Sequence, residues 1–143
     1  MSAREKLAET VFDSVSAMMA AYSEEAIFAA RVDHRRHLDL SESSIESLDA
    51  ILDGQAPTDL DFQTRIWGSY LGEVIRRRFG GEWEFTQYPG GVTAVPTLLI
   101  GGSRLYPLMK VYRRLTMGEG ESLPAFYKLI SSRLRERRDA KSG

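Results

Sequence analysis

Two glycine pairs, Gly80-Gly81 and Gly101-Gly102, bracket the stretch in which apolar residues recur at every second position. In EWEFTQY, Trp83, Phe85 and Gln87 alternate with Glu82, Glu84, Thr86 and Tyr88. That is the period of a half-buried strand, whose successive side chains point to opposite faces. Pro89-Gly90-Gly91 supplies a turn, VTAVPTLLI reads as the returning strand, and Ser103-Arg104-Leu105 as a short third. On either side of this block the apolar spacing is three or four, the period of a helix. Strands adjacent in sequence and flanked by helical blocks fold as α+β. The expected architecture is about five helices packed on a small two- or three-stranded antiparallel meander, with Trp83 and Phe85 facing the helices. Pro96 cannot donate to a ladder, so its strand is expected at an edge or with a bulge there.

The helical blocks carry their own start and stop signals. Leu7, Val11, Val15, Met18, Tyr22 and Ala26 form one apolar stripe, widened by Phe12, Met19 and Ile27. Ser23 is a candidate cap that either breaks this helix or starts a second one. Ser43 with Glu46 matches a capping box for a helix carrying Ile45, Leu48 and Leu52. After the turn GQAPT, Thr58 is placed to cap a third helix with Phe62, Ile66, Tyr70, Val74 and Ile75 on its stripe. Arg76, Arg77 and Arg78 fall in its last turn, where cations suit the helix dipole. Pro107 opens a further helix with Leu108, Val111, Tyr112 and Leu115 as its apolar face. Ser122 caps the last one, with Leu123, Phe126, Tyr127, Ile130 and Leu134.

The 143 residues fit one domain, read as an N-terminal helical segment (1–37), an α+β core (38–138) and a frayed tail (139–143). There is no cysteine, which excludes disulfides, thiol nucleophiles and zinc–thiolate sites. Glu5, Glu9 and Asp13 interrupt the apolar residues near the N-terminus, so no signal-peptide core forms. No apolar run approaches the ~18 residues of a membrane span. These features point to the cytoplasm and to no membrane association.

Catalytic and cofactor chemistries find little footing. Asp33 and His37 share a helix face at i and i+4, but Arg35 and Arg36 lie between them and no third ligand is evident, so no metal site is expected. Neither histidine sits in a recognisable nucleophile arrangement, and no glycine loop leads from a strand into a helix to cradle phosphate. No catalytic residue and no cofactor is assigned. Gly68 and Gly72, four apart on the third helix, each cost helix stability on the order of 1 kcal/mol. They imply either close approach of another backbone or a pocket against the sheet.

Charge is unevenly spread. The net charge is −1, yet residues 1–62 hold five basic against thirteen acidic residues and residues 102–143 hold ten against four. The overall slight acidity and the absence of a recognition-helix pattern argue against nucleic-acid binding. A basic face made of Arg104, Lys110, Arg113 and Arg114 is instead expected to meet an acidic protein partner. The acidic half could also cover that face within the monomer or pair with it in a homodimer.

Between Leu38 and Trp83, the segments LDLSESSIESLDAILDG and GSYLGEVIRRRFGGEW, followed by a strand pair and a basic helix, resemble a widespread bacterial family of unknown function. The resemblance leaves the first helix outside it and implies no activity. It implies that Gly68, Gly72, Gly80, Gly81 and Trp83 are scaffold positions. By analogy of build, bacterial adaptor and immunity proteins are comparable. The functional expectation is a non-enzymatic protein-binding module of adaptor, regulator or immunity type. The alternative is a small enzyme or ligand-binding protein with a pocket between the glycine-bearing helix and the sheet.

Overall fold

The computed structural model describes residues 2–54 and 58–142, with side chains described as far as Arg137. The apolar stripe of the first block does not run through a single helix. Helix α1 (Ala3–Glu9) and helix α2 (Val15–His34) are separated at Thr10–Ser14. Ser14 Oγ accepts from Ala17 N at 3.0 Å and starts α2, while the Thr10 hydroxyl donates to Lys6 O at 2.6 Å and closes α1. Val11, in the break, is left 93% exposed. Ser23 caps nothing: it is buried inside α2, whose Ala26, Ala29 and Ala30 let the helix lie close along α4. Arg35 ends α2 in the left-handed region at φ 53°, and Arg36 N donates to Ala30 O at 2.9 Å.

Helix α3 (Ser44–Leu52) buries Ile45, Leu48, Ile51 and Leu52. The expected capping box is replaced by a tighter device. Ser43 makes no side-chain cap bond; Ser41 Oγ accepts from Ser44 N at 3.2 Å and Asp39 Oδ1 accepts from Ser41 N at 3.1 Å. Helix α4 (Leu60–Phe79) is the central element, with Ile66, Trp67, Tyr70, Leu71, Val74 and Ile75 all buried. Asp59 rather than Thr58 stands at its N-cap, without a side-chain bond. Gln55, Ala56 and Pro57 of the expected turn lie outside the described residues. The Tyr70 hydroxyl accepts from Leu40 N at 2.8 Å and lies 2.6 Å from Ser44 Oγ, tying the loop before α3 to α4.

Strands β1 (Glu82–Gln87), β2 (Ala94–Ile100) and β3 (Ser103–Leu105) form an antiparallel meander in the order β1-β2-β3. The fold is α+β, with six α-helices among the described residues because the first block divides. Trp83 pairs with Leu98 and Leu98 with Leu105, and Trp83 and Leu98 are buried against the helices. A Cβ at Gly72 would overlap the Trp83 ring, and one at Gly68 would lie 2.6 Å from Leu108 Cα. Both glycines therefore let the sheet and the next helix seat on α4. Pro96 does not lie on an edge strand, since β2 is central. Strand β3 covers only Leu98–Ile100, however, so Pro96 has β1 alone as a neighbour.

Helix α5 (Pro107–Met117) leads through a 3-10 turn (Glu119–Glu121) into helix α6 (Leu123–Ser142). Ser122 Oγ accepts from Ala125 N at 3.3 Å at the start of α6. The stretch expected to fray stays helical to Ser142. Its residues before Gly143 are mostly good helix formers with no glycine or proline among them.

Candidate functional site

The four basic residues expected to form one face are put to four different uses. Arg114, only 4% exposed, donates from Nε to Asp49 Oδ1 at 2.9 Å and from Nη2 to Asp53 Oδ1 at 3.1 Å. Burial works against its charge, but the bonds to these two α3 carboxylates outweigh it and raise its pKa. Asp49 Oδ1 also accepts from Leu123 N at 3.0 Å, so one carboxylate joins α3, α5 and the start of α6. Lys110 is buried as well, with Nζ 2.6 Å from Glu121 Oε2 and 5.5 Å from the centre of the Phe126 ring. That ammonium holds the Glu121 carboxyl below its ordinary pKa. Arg113 is half-buried and donates to the Tyr88 hydroxyl, whose ring meets Tyr106 edge-on at 4.9 Å. Arg104 alone of the four is exposed without a partner among the described residues. The acidic half thus neutralises Arg114, while Lys110 is paired within the basic half by Glu121.

A larger feature lies where the inner face of the sheet outruns the helices. Phe85 and Pro96 are paired one step beyond the Trp83–Leu98 pair and carry the same apolar stripe onward. Trp83 is 3% exposed, whereas Phe85 is 55% exposed. Phe85 is on the expected face but is not covered. Together with Met18 of α2, Thr64 of α4, and Met109 and Tyr112 of α5, it lines a groove of about 750 Å³. Tyr112, expected in the core, is 40% exposed there. Thr64 Oγ1 is buried without a hydrogen-bond partner among the described residues. The neighbouring Asp61 and Arg65, 3.3 Å apart, contribute to the same lining. Sequence reasoning noted Met18 and the inward alternation of Phe85 but not Met109. It had no measure of where the helical layer stops.

The remaining motifs resolve locally. Asp33 and His37 do not share a helix face, because α2 ends at His34 and Arg35 turns left-handed. His34 meets the Trp67 ring edge-on at 5.9 Å. Among the described residues no three His, Asp or Glu side chains come together in an arrangement that could hold a metal ion. Glu73, buried on α4, accepts from Trp83 Nε1 at 3.2 Å and from Arg76 Nε at 2.6 Å, which accounts for its charge. No helix among the described residues is long and apolar enough to cross a membrane.

Comparison with models of known families, with curated proteins and with solved structures finds no match. Gly68, Gly72 and Trp83 therefore stand as scaffold positions on their packing alone.

Proposed function

We propose that the chain is a non-enzymatic protein-binding module that takes an apolar segment of a partner into the groove over Phe85, Pro96 and Tyr112. The observation that carries this reading is the uncovered Phe85–Pro96 pair, where an apolar sheet face continues beyond the helices that bury the rest of it. Met18 and Met109 give the groove pliable walls, a property of surfaces that accept varied apolar side chains. Along Ala94–Pro96 strand β2 also has no paired strand on the β3 side among the described residues, leaving backbone edge for an added segment. The cytoplasmic, adaptor- or immunity-type role belongs to the same proposal. The absence of cysteine fits a reducing compartment.

The test uses Phe85→Asp and Tyr112→Asp, both at exposed positions that the fold tolerates, with circular dichroism as the folding check. A partner captured from source cells by the wild-type protein is purified, and its affinity for each variant is measured by calorimetry. Loss of a half-exposed aromatic anchor from an interface should weaken binding by about tenfold or more. Unchanged affinity in both folded variants would remove the groove from consideration. A second copy of the chain as partner would show instead as a concentration-dependent mass that Phe85→Asp abolishes.

The buried, unpartnered Thr64 hydroxyl favours a second reading, a pocket for a small ligand with one polar group. The groove volume falls within the ~300–1,000 Å³ of such sites. Native mass spectrometry separates the two, since a small-molecule adduct lost in Phe85→Asp supports the ligand.

A further inference from the structure

On another part of the fold, strand β3 and helix α6 enclose a second cleft of about 630 Å³. Three consecutive strand residues, Ser103, Arg104 and Leu105, line it. Neighbouring residues of a strand point to opposite faces, so a cavity touching all three lies along the strand's edge. Among the described residues strand β3 pairs with β2 alone, which leaves its other edge open for the cleft to meet. The α6 wall places Ile130, Arg133, Leu134 and Arg137 on one helical face. Ile130 and Leu134 are buried and form an apolar floor with Leu105. Above them stand three arginines. Arg137 is anchored to the β2–β3 turn through the Gly101 carbonyl at 3.4 Å and the Ser103 hydroxyl. The side chains of Arg104 and Arg133 are exposed and make no ion pair or hydrogen bond to any described residue. Other exposed cations, among them Arg35, Arg36, Arg77 and Lys128, also lack an ion pair among the described residues, but none of these lines a cleft beside a strand. Arg133 and Arg137, like charges at i and i+4 on α6, repel each other weakly, and an anion in the cleft would relieve that repulsion.

We infer that this cleft binds an extended acidic segment of a protein, which adds to the open edge of β3 and places carboxylates on Arg104 and Arg133. Three features select this occupant. A strand edge offers backbone donors and acceptors that a peptide backbone satisfies. Guanidinium forks match carboxylates two bonds at a time. The apolar floor receives the side chains that alternate with the acidic ones along an extended segment. Glu136 in the lining works against a uniformly polyanionic ligand such as nucleic acid. This site is separate from the Phe85 groove and uses none of its residues.

The experiment measures fluorescence anisotropy of a labelled peptide of about ten residues, the length of a long strand, that alternates Glu with Val. Saturable binding is expected, weakening as salt is raised. It should fall about tenfold or more in Arg104→Ala/Arg133→Ala, as two charge-assisted contacts are lost. Arg104→Lys/Arg133→Lys should recover part of that loss. The same peptide N-methylated at alternate residues should bind much more weakly, because its backbone no longer donates to the strand edge. Phe85→Asp should leave the affinity unchanged, which separates this inference from the groove reading. The proposal is overturned if the alanine pair binds the peptide as the wild type does, or if no saturable binding occurs. It is equally overturned if oligothymidylate or inorganic phosphate competes as well as the Glu–Val peptide, since the cleft would then respond to charge alone.

Discussion

Arg114→Met is the sharpest perturbation of the helical layer. The substitution keeps the unbranched apolar stem and removes the guanidinium that joins α5 to α3. Removing one partner of a fully buried ion pair costs about 3–5 kcal/mol, because the other charge is stranded. Here the side chain of Arg114 is 4% exposed, but that of Asp49 is 22% and that of Asp53 is 52% exposed. Asp53 therefore rehydrates at little cost once freed. Asp49 keeps its bond from Leu123 N at 3.0 Å and gains partial access to water. The expected loss is thus below that range, about 2–3 kcal/mol. Urea denaturation followed by tryptophan fluorescence reads it as a shift in midpoint at constant slope. Adding Asp49→Asn to Arg114→Met should recover about 1 kcal/mol, since the stranded charge is then gone. A loss under about 1 kcal/mol for Arg114→Met, within the range of an exposed pair, would refute the reasoning and return Arg114 to the surface as a partner contact.

Two further outcomes follow from the packing and the charges. Gly72→Ala sets a helix-propensity gain of about 1 kcal/mol against overlap with the buried Trp83 ring, and Gly68→Ala sets the same gain against Leu108 Cα at 2.6 Å. Overpacking on the order of 2–3 kcal/mol wins at both positions, so thermal denaturation should show both variants less stable than wild type. Glu121, held below its usual 4.5 by Lys110, contributes stability that is full above that pH and lost as pH falls through the lowered folded-state value. Glu121→Gln should therefore flatten the acid limb of the stability–pH curve and leave its slope near neutrality unchanged, as measured by denaturation at a series of pH values.

Much of the fold was legible because apolar period is a local signal. The switch at Gly80 and Gly101 located the meander, and Gly68 and Gly72 marked where neighbours sit closest to α4. The stripe from Leu7 through Val15 misled because spacing carries across the Thr10–Ser14 break, and only the Ser14 bond to Ala17 N shows where α2 begins. The candidate site was harder to read. Arg114 stands 65 residues from Asp49 and 61 from Asp53, so nothing near it in sequence shows that its charge is already spent. Phe85 alternates correctly, yet its exposure depends on where α2, α4 and α5 stop short of the hairpin, a property of their packing and not of the strand. Arg133 carries no local signal in the sequence, and only the position of β3 beside α6 gives it a setting.

The Asp49 joint also bears on how the chain comes together as it is made. Asp49 bonds a guanidinium 65 residues later and a backbone amide 74 residues later, so the knot between α3, α5 and α6 closes only once the chain has been made as far as Leu123. Until the basic C-terminal stretch has emerged, the nascent chain carries thirteen acidic against five basic residues in its first 62 positions. An unfinished core is open and prone to associate at that stage. Mutual repulsion between such strongly negative nascent chains keeps them apart while the core is incomplete. The later basic residues bring the net charge to −1 and one of them, Arg114, bonds Asp49 and Asp53, so the charge gradient that favours solubility of the growing chain also supplies a clasp in the finished one.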